Sequence, residues 1–327
     1  MNKLQQRFFL LIALIAVISG SIIYFTVDVH TLKHLTAFEP WSILLALLSL
    51  TVGLYFDGTR LTRLVSIAGE RITFLQALQV LFGNYFLAML TPGAAGGAVA
   101  QVMILRKAGV PLGKATVLVL VRTIMSIMFL LACMPFIFYL DPGLVPWLSP
   151  DQLAAIAILL LLLSIGGMAF VRTRTSVMLV LRLTRRMKHG RGRRLFKLYH
   201  DIRSAVLLLA AAPRGVIRVF LESGASLLGL YGIVPALFLG LGVYADWVLV
   251  MGRMIFLNLI LYFAPTPGGS GIAEGGFVLL FGEWLPAGTV GVMAVAWRIL
   301  GEYLPFAIGC YFTIKVFGRD FLTRQWK

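Results

Sequence analysis

Six long apolar runs dominate this sequence and restrict it to folds that use a lipid bilayer as solvent. A transmembrane helix needs roughly 20 apolar residues, and each run is near or above that length. Since 60% of the 327 residues are hydrophobic and only 13% are charged, a soluble domain could not hide these side chains. We therefore predict an all-α polytopic membrane protein, one domain over residues 1–327. Its predicted full spans are approximately 8–27, 41–56, 115–140, 152–171, 219–243 and 287–314.

The net charge of +16 is concentrated in the connections between these runs. The connection 172–218 holds thirteen Lys and Arg against a single acid, Asp201, whereas 28–40, 141–151 and 244–246 contain one Lys and no Arg. Basic residues also precede the first run, which is too long for a signal-peptide core and is expected to stay as a span. Positive-inside bias predicts a cytoplasmic-membrane protein with both termini and 172–218 in the cytoplasm. Because the basic residues lie in the connections between spans, the sequence favours contact with anionic lipid headgroups over nucleic-acid binding.

Two further apolar segments, 72–112 and 246–285, are each broken in the middle by a Pro-Gly loop. The first has basic residues on both sides, which predicts that it enters the membrane from the cytoplasm and returns there. The second has basic-poor flanks, and its returning arm 272–283 spans only about 18 Å, which is too short to cross. We therefore predict two re-entrant helical hairpins of opposite direction. Broken backbone at membrane depth needs protein partners or a wet cavity.

The two broken segments and the spans after them form an internal repeat. "NYFLAMLTPGAAGGAVAQ" in the first half corresponds to "NLILYFAPTPGGSGIAEGG" in the second. Arg122 follows the first Pro-Gly break by 30 residues, and Arg298 follows the second by 31. With opposite orientations, the segments 72–140 and 246–314 are predicted to be an inverted repeat. Transporters with such repeats bind their substrate near the membrane midplane.

The breaks and the two arginines form the predicted substrate site. A helix that restarts after a Gly-rich loop leaves free N–H groups whose partial positive charge attracts an anion. An arginine inside a bilayer costs about 2.5–3.5 kcal/mol, so a function or a partner should hold it there. No catalytic or metal-binding residue is predicted. The predicted substrate-binding residues are Asn84, Pro92, Gly93, Gly96, Gly97, Arg122, Asn258, Pro265, Pro267, Gly268, Gly269, Gly271, Glu274, Arg298 and Glu302.

Local spacing distinguishes the two arginines. Glu302 lies one turn after Arg298, so an ion pair and a ligand contact are equally good interpretations. Arg122 has no acid within a turn, which favours contact with the phosphate of a ligand. Glu222 follows Arg218 at the same spacing and is predicted to pair with it.

The remaining polar candidates have structural and functional interpretations. Glu274 lies in the first turn of its helix, where it could cap amides, relay protons or bind an amine. Asn84 and Asn258 are expected chiefly to satisfy hairpin backbone, although contact with the substrate is compatible with that. Besides Glu274, only Glu222 and Glu302 are predicted as carboxylates well inside the spans.

The basic connection has helical periodicity. "SVMLVLRLTRRMKHGRGRRLFKLYHDIRSAVLLL" mixes apolar and basic residues at helical spacing, and "HGRG" is predicted as a turn. This pattern indicates two amphipathic helices on the anionic inner leaflet. An ordinary charged loop that fixes topology is an equally good interpretation.

The paired segments resemble those of a known family. "NYFLAMLTPGAAGGAVAQ" with "VRTIMS", and "APTPGGSGIAEGG" with "WRILGEY", are similar to the flippase-like integral membrane family, over about residues 5–315. That family includes the transmembrane region of lysylphosphatidylglycerol synthases (multiple peptide resistance factor proteins) and stand-alone members. The resemblance implies lipid translocation, with aminoacylated phosphatidylglycerol as cargo in the two-domain members and other amphiphiles, such as hopanoid or polyprenyl-linked ones, elsewhere. This chain lacks the aminoacyl transferase domain, so we do not expect it to make the lipid, and Gln101 stands where many relatives carry a basic residue.

These observations predict a flippase for a membrane phospholipid or another amphiphile, with no cofactor. One alternative is a membrane-embedded lipid-modifying enzyme. Against it, all four histidines fall in predicted loops, and neither a nucleophile–base pair nor a metal-ligand cluster occurs in the predicted spans. A second alternative is a scaffold that recruits a lipid-synthesis enzyme through the basic connection.

Overall fold

The computed structural model describes residues 38–185, 187, 189–286 and 289–323. Within these ranges the chain is helical and contains no strand, which confirms the all-α prediction. The predicted span 8–27 lies outside the described residues. The α-helices are α1 (Pro40–Ile67), α2 (Phe74–Leu90), α3 (Ala95–Lys107), α4 (Leu112–Leu140), α5 (Pro150–Arg172), α6 (Arg174–Arg185), α7 (His189–Ala211), α8 (Pro213–Tyr231), α9 (Ile233–Gly240), α10 (Trp247–Leu261), α11 (Ile272–Phe281), α12 (Thr289–Arg298) and α13 (Leu304–Thr323).

Five helical stretches in the described part of the chain are long and apolar enough to cross a membrane. Three are the single helices α1, α4 and α5. The fourth joins α8 and α9 over Pro213–Gly240, and the fifth joins α12 and α13 through a π turn at Ile299–Tyr303. They correspond to five of the six predicted spans. Short π turns within α-helices are rare and occur frequently at functional sites.

Helix α1 continues beyond the predicted end of its span. The span was predicted to end near residue 56 with Arg60 and Arg63 beyond it, which is wrong because the helix reaches Ile67 and contains both arginines. Helix α1 continues through these charged residues because Asp57 and Arg60 form an ion pair with each other inside the protein. Leu61 and Leu64, on the same stretch, are buried in the core.

Each predicted hairpin consists of two short helices around a Pro-Gly turn. A 3₁₀ turn at Pro92–Ala94 separates α2 from α3, and one at Pro267–Gly269 lies between α10 and α11. Gly93 and Gly268 adopt similar left-handed conformations, with φ of 61° and 56°. Glycine adopts this conformation at little cost. The two breaks therefore share one local backbone geometry, as expected of a repeat.

Polar caps begin the first helix of each broken segment. At α2, Thr73 and Gln76 form a capping box, with Thr73 N–H donating to Gln76 Oε1 at 2.8 Å. At α10, the Asp246 carboxylate accepts from the Val248 amide at 2.8 Å. Both helices thus begin next to the predicted segment boundaries.

Small residues bring α1 and α8 into close contact. A Cβ on Gly229 would lie 2.7 Å from the Cα of Gly53, so the two backbones meet here. The Ser49 hydroxyl donates to the Gly229 carbonyl at 2.6 Å. Small residues and interhelical hydrogen bonds are the usual means of packing helices within lipid.

The basic connection folds into the helices α6 and α7. Ser176 and Tyr199 join them through a hydroxyl–hydroxyl hydrogen bond of 2.7 Å. The predicted turn at 189–192 is wrong, because α7 already begins at His189 and Gly192 packs against the backbone of Thr184. Methionine and leucine side chains of α6 are exposed among its arginines, as expected of an amphipathic helix.

Candidate functional site

The tips of the two broken segments touch each other. The backbone N–H of Gly93 donates to the carbonyl oxygen of Pro265 at 3.2 Å. Gly268 packs against Met89, and a Cβ on this glycine would lie 3.2 Å from the methionine Cε. The contact joins positions from the two predicted repeats, so the candidate residues of both tips lie together.

Amides of the first tip are bonded within the protein. Ala94 N–H donates to the Thr91 carbonyl at 3.2 Å, and Gly96 N–H donates to the Thr91 hydroxyl at 2.7 Å. Together with the bond from Gly93 to the second tip, these contacts occupy N–H groups that were predicted to be free for an anion. The acceptors are the hydroxyl of Thr91, a residue that was not among the predicted site residues, and the backbone carbonyls of Thr91 and Pro265.

A buried polar network lies beside the first tip and links α1, α2, α3 and α4. Arg122 donates to the two carboxylate oxygens of Asp57, from Nη2 at 2.5 Å and from Nε at 3.2 Å. Arg60 donates to the same carboxylate from Nε at 2.9 Å. Gln101 accepts from Arg122 at 2.9 Å and donates to Asn84 at 2.8 Å. The Ser126 hydroxyl accepts from Arg60 Nη1 at 2.9 Å. We call this network the Asp57 cluster, and its members are Asp57, Arg60, Asn84, Gln101, Arg122 and Ser126.

One carboxylate serves two arginines in the Asp57 cluster, so its formal net charge is +1. Exposed fractions of the three side chains are 4% for Asp57, 3% for Arg60 and 11% for Arg122. Arg122 has no acid within a turn of its own helix, but it has an acidic partner in Asp57, so the lack of a nearby acid in the sequence no longer favours a ligand contact. Sequence spacing detects partners within one helix, whereas this partner comes from α1.

A second buried network surrounds Arg298, whose side chain is 0% exposed. Its Nη1 donates to the Gly268 carbonyl at 3.0 Å, and its Nε lies 2.9 Å from Glu274 Oε1. It also forms an ion pair with Glu302, in the π turn. Of the two interpretations of this arginine, the ion pair is therefore present. The Ser270 hydroxyl accepts from Arg298 Nη2 at 3.4 Å. We call Arg298, Glu274, Glu302, Gly268 and Ser270 the Arg298 cluster.

Glu274 has two structural partners. Its Oε2 accepts from the Gly271 amide at 2.6 Å, which confirms the predicted cap of α11. Its other oxygen faces Arg298. Because two carboxylates share one arginine, the formal net charge of the Arg298 cluster is −1, and the proton-relay and amine-binding roles of Glu274 stay predictions.

The two clusters have opposite formal charges. Asp57, Arg60 and Arg122 sum to +1 and Arg298, Glu274 and Glu302 sum to −1, so the six charged side chains together are neutral.

The two matching asparagines have different environments. Asn84 belongs to the Asp57 cluster and packs against Gly97, where a Cβ would lie 2.4 Å from the asparagine Oδ1. Asn258 instead donates to the Met254 carbonyl of its own helix at 2.8 Å. Of the remaining candidates, Pro92 and Pro267 begin the two 3₁₀ turns, and Gly269 is buried within the second.

Sequence analysis missed an arginine on α10. Arg253 pairs with Asp141 at the end of α4, with an Nε–Oδ2 distance of 2.6 Å. It also bonds to the Leu280 carbonyl and stacks on Trp284, with 3.8 Å from Cζ to the ring centroid. This arginine holds the second broken segment against α4. Asp57 and Asp141 add two buried carboxylates to those predicted.

Glu222 also has a different partner from the one predicted. It pairs with Arg63 of α1, at 2.6 Å from Nη2 to Oε1, and not with Arg218 of its own helix. The close packing of α1 on α8 brings the two side chains together.

The sequence matches the family described as lysylphosphatidylglycerol synthase TM region over residues 10–309. The chain belongs to this family. The matched range contains every residue of the Asp57 and Arg298 clusters. The chain is also similar to a UPF0104 membrane protein of Archaeoglobus fulgidus, with 23% identity over 270 residues that cover 80% of this chain and 82% of the relative.

Membership of the lysylphosphatidylglycerol synthase transmembrane-region family is consistent with a membrane lipid-related role. The helical spans described above agree with a multi-pass membrane protein. In this family member the two Pro-Gly tips and both charged clusters form one continuous polar region, which is the candidate functional site.

Proposed function

We propose that this protein moves a lipid with an anionic or otherwise polar headgroup between the leaflets of the cytoplasmic membrane. The headgroup passes between two re-entrant hairpins, and the acyl chains remain in the bilayer. The observation that carries this proposal is the contact of the two Pro-Gly tips, through Gly93 and Pro265, beside buried clusters of charge.

The lengths of the broken segments support re-entrant hairpins. At 1.5 Å per residue, the 17 residues of α2 extend about 26 Å and the 10 residues of α11 about 15 Å, short of a hydrocarbon core of about 30 Å. The helices α3 and α10, with 13 and 15 residues, are also too short. Two hairpins that enter from opposite leaflets would meet at their tips.

Exposure of the tips supports a polar pathway. Gly93 and Pro265 are both exposed. Irregular backbone facing hydrocarbon is not tolerated, so exposed tips at membrane depth require a water-filled crevice or a polar occupant. The surplus positive charge of the Asp57 cluster would attract the phosphate of such an occupant.

Leaflet exchange of a labelled lipid tests the proposal. The protein is reconstituted in phosphatidylcholine vesicles with a trace of acyl-labelled fluorescent phosphatidylglycerol, and label in the outer leaflet is bleached chemically. Wild-type protein should speed exchange, and the variant Asp57→Asn/Arg60→Gln/Arg122→Gln, which neutralises the cluster without leaving an unpaired charge, should slow it. The matched control Glu70→Gln/Lys114→Gln removes an exposed ion pair of 2.6 Å and should retain the wild-type rate.

Two results would contradict the proposal. One is exchange no faster than in protein-free vesicles. The other is a wild-type rate in the folded, neutralised variant. Mass spectrometry of the recovered lipid distinguishes transport from the enzyme alternative, because a transported lipid keeps its mass.

A further inference from the structure

An open cavity with charged residues in its lining lies where α7 packs against the beginning of α4. Its volume is about 690 Å³, within the range of small-molecule sites. The lining residues that bear charge are Arg193, Lys197, His200 and Asp201. They occupy one face of α7, since residues three and four apart in a helix are neighbours.

The cavity has cations available for a ligand. Within the described residues, neither Arg193 nor Lys197 forms an ion pair, and both are exposed. Asp201 is the one carboxylate in the lining and is half-buried. With His200 counted as neutral, the lining carries a formal charge of +1.

The position of the cavity indicates a ligand at the membrane surface. Gly113, in the first turn of a membrane-spanning helix, forms part of its wall. Phe196 of α7 lines it with 38% of its surface exposed, and the neighbouring α6 exposes Met178, Leu179 and Leu181. Exposed apolar side chains beside basic ones are typical of helices that lie in the lipid headgroup region.

We infer that this cavity binds the phosphate of an anionic phospholipid from the adjacent leaflet and holds it at the periphery of the protein. Arg193 and Lys197 contact the phosphate, and Phe196 contacts the apolar part of the lipid. The bound lipid anchors α7 against α4. The site is separate from the tips, and the inference does not depend on the proposed transport.

Native mass spectrometry of the full-length protein in detergent tests the site. The protein is mixed with phosphatidylglycerol or with phosphatidylcholine of the same acyl chains, and the fraction of lipid-bound protein is measured. Wild-type protein should retain phosphatidylglycerol in preference to phosphatidylcholine. Each basic residue near a membrane surface contributes about 1 kcal/mol, so Arg193→Gln/Lys197→Gln should weaken phosphatidylglycerol binding by about tenfold or more.

Two further variants separate this site from general attraction and from loss of fold. Arg214→Gln/Arg218→Gln removes the same charge from α8, outside the cavity lining, and should weaken binding much less than Arg193→Gln/Lys197→Gln does. Arg193→Lys/Lys197→Arg retains both charges and should keep most of the binding, and its melting temperature reports folding.

Three results would overturn the inference. Equal losses in the two glutamine variants would mean non-specific attraction. Equal retention of phosphatidylcholine would mean that the anion is not recognised. Displacement of the lipid by millimolar inorganic phosphate would mean a site for soluble anions, whereas lipid retention under that treatment supports the membrane-lipid assignment.

Discussion

Arg122 on α4 and Asp57 on α1 form a buried ion pair, with 2.5 Å between Nη2 and Oδ2, and Arg60 donates to the same carboxylate. The carboxylate is thus the centre of a network that reaches α2 and α3 through Gln101 and Asn84. Since α2 and α3 carry the first Pro-Gly tip, the charged network fixes the position of that tip relative to two spans.

Removal of Asp57 should therefore destabilise the protein strongly. Asp57→Ala leaves two buried arginines without an anion, and breaking a buried pair from one side costs about 3–5 kcal/mol. Thermal unfolding in detergent measures the loss. Glu70→Ala, at the exposed pair with Lys114, should cost at most about 1 kcal/mol. A loss at Asp57 no larger than at Glu70 would mean that the network is not formed.

The two carboxylates around Arg298 should partly replace each other. Glu302→Gln and Glu274→Gln each leave one carboxylate on the buried arginine, so each should be tolerated far better than both together. The double variant leaves an uncompensated buried cation, with a loss of about 3–5 kcal/mol. A double-mutant cycle from melting curves checks this coupling. If the loss of stability in the double variant equalled the sum of the two single losses, the two carboxylates would not share one arginine.

Arg253 should stabilise the second broken segment through both its charge and its planar shape. Arg253→Lys keeps the charge but loses the stacking on Trp284 and the fork of donors toward Asp141. We expect a lower melting temperature for Arg253→Lys and a still lower one for Arg253→Ala. Arg214→Lys, on an exposed arginine, is the control and should leave the melting temperature unchanged. Equal melting temperatures for Arg253→Lys and wild type would exclude a contribution from the planar contact.

Close packing at the first tip should make it intolerant of a methyl group. A Cβ on Gly96 would lie 2.6 Å from Thr91 Cγ2, and a Cβ on Gly97 would lie 2.4 Å from Asn84 Oδ1. Alanine at either position should cost about 1–3 kcal/mol through overpacking. Gly166→Ala in α5 meets no atom within 4 Å and should be neutral or stabilising by up to about 1 kcal/mol. Unchanged melting temperatures for the tip variants would contradict the close packing at this tip.

Periodicity and composition were sufficient to predict the helical class, five described spans and both Pro-Gly breaks. These features depend on residues close together in the chain. The cap of α11 by Glu274 and the ion pair between Arg298 and Glu302 were also predictable, because the partners lie three and four residues apart.

Partners supplied by other helices could not be predicted from spacing. Arg60 was predicted to follow the second span, and Asp57 was not considered. Asp57 and Arg60 can stay inside a helix because they pair with each other. The further ion pair between Asp57 and Arg122 depends on how α1 packs against α4. Glu222 was predicted to pair with Arg218 of its own helix because its actual partner, Arg63, lies on α1. A signal was nevertheless present in Asp57 and Arg60, an acid and a base three residues apart beside an apolar run.

A headgroup can pass between the two tips only if they part, and a reversible cross-link tests whether they must. In a background with Cys133 and Cys310 replaced by Ala, cysteines are introduced at Ala94 and Thr266, next to the hydrogen bond between Gly93 and Pro265. Leaflet exchange of labelled phosphatidylglycerol is measured in the oxidised and reduced protein, with the two single-cysteine variants as controls. Oxidation is expected to form the cross-link and stop exchange, reduction should restore exchange, and the single-cysteine controls should be insensitive to both treatments. Undiminished exchange in fully cross-linked protein would contradict passage of the headgroup between the tips.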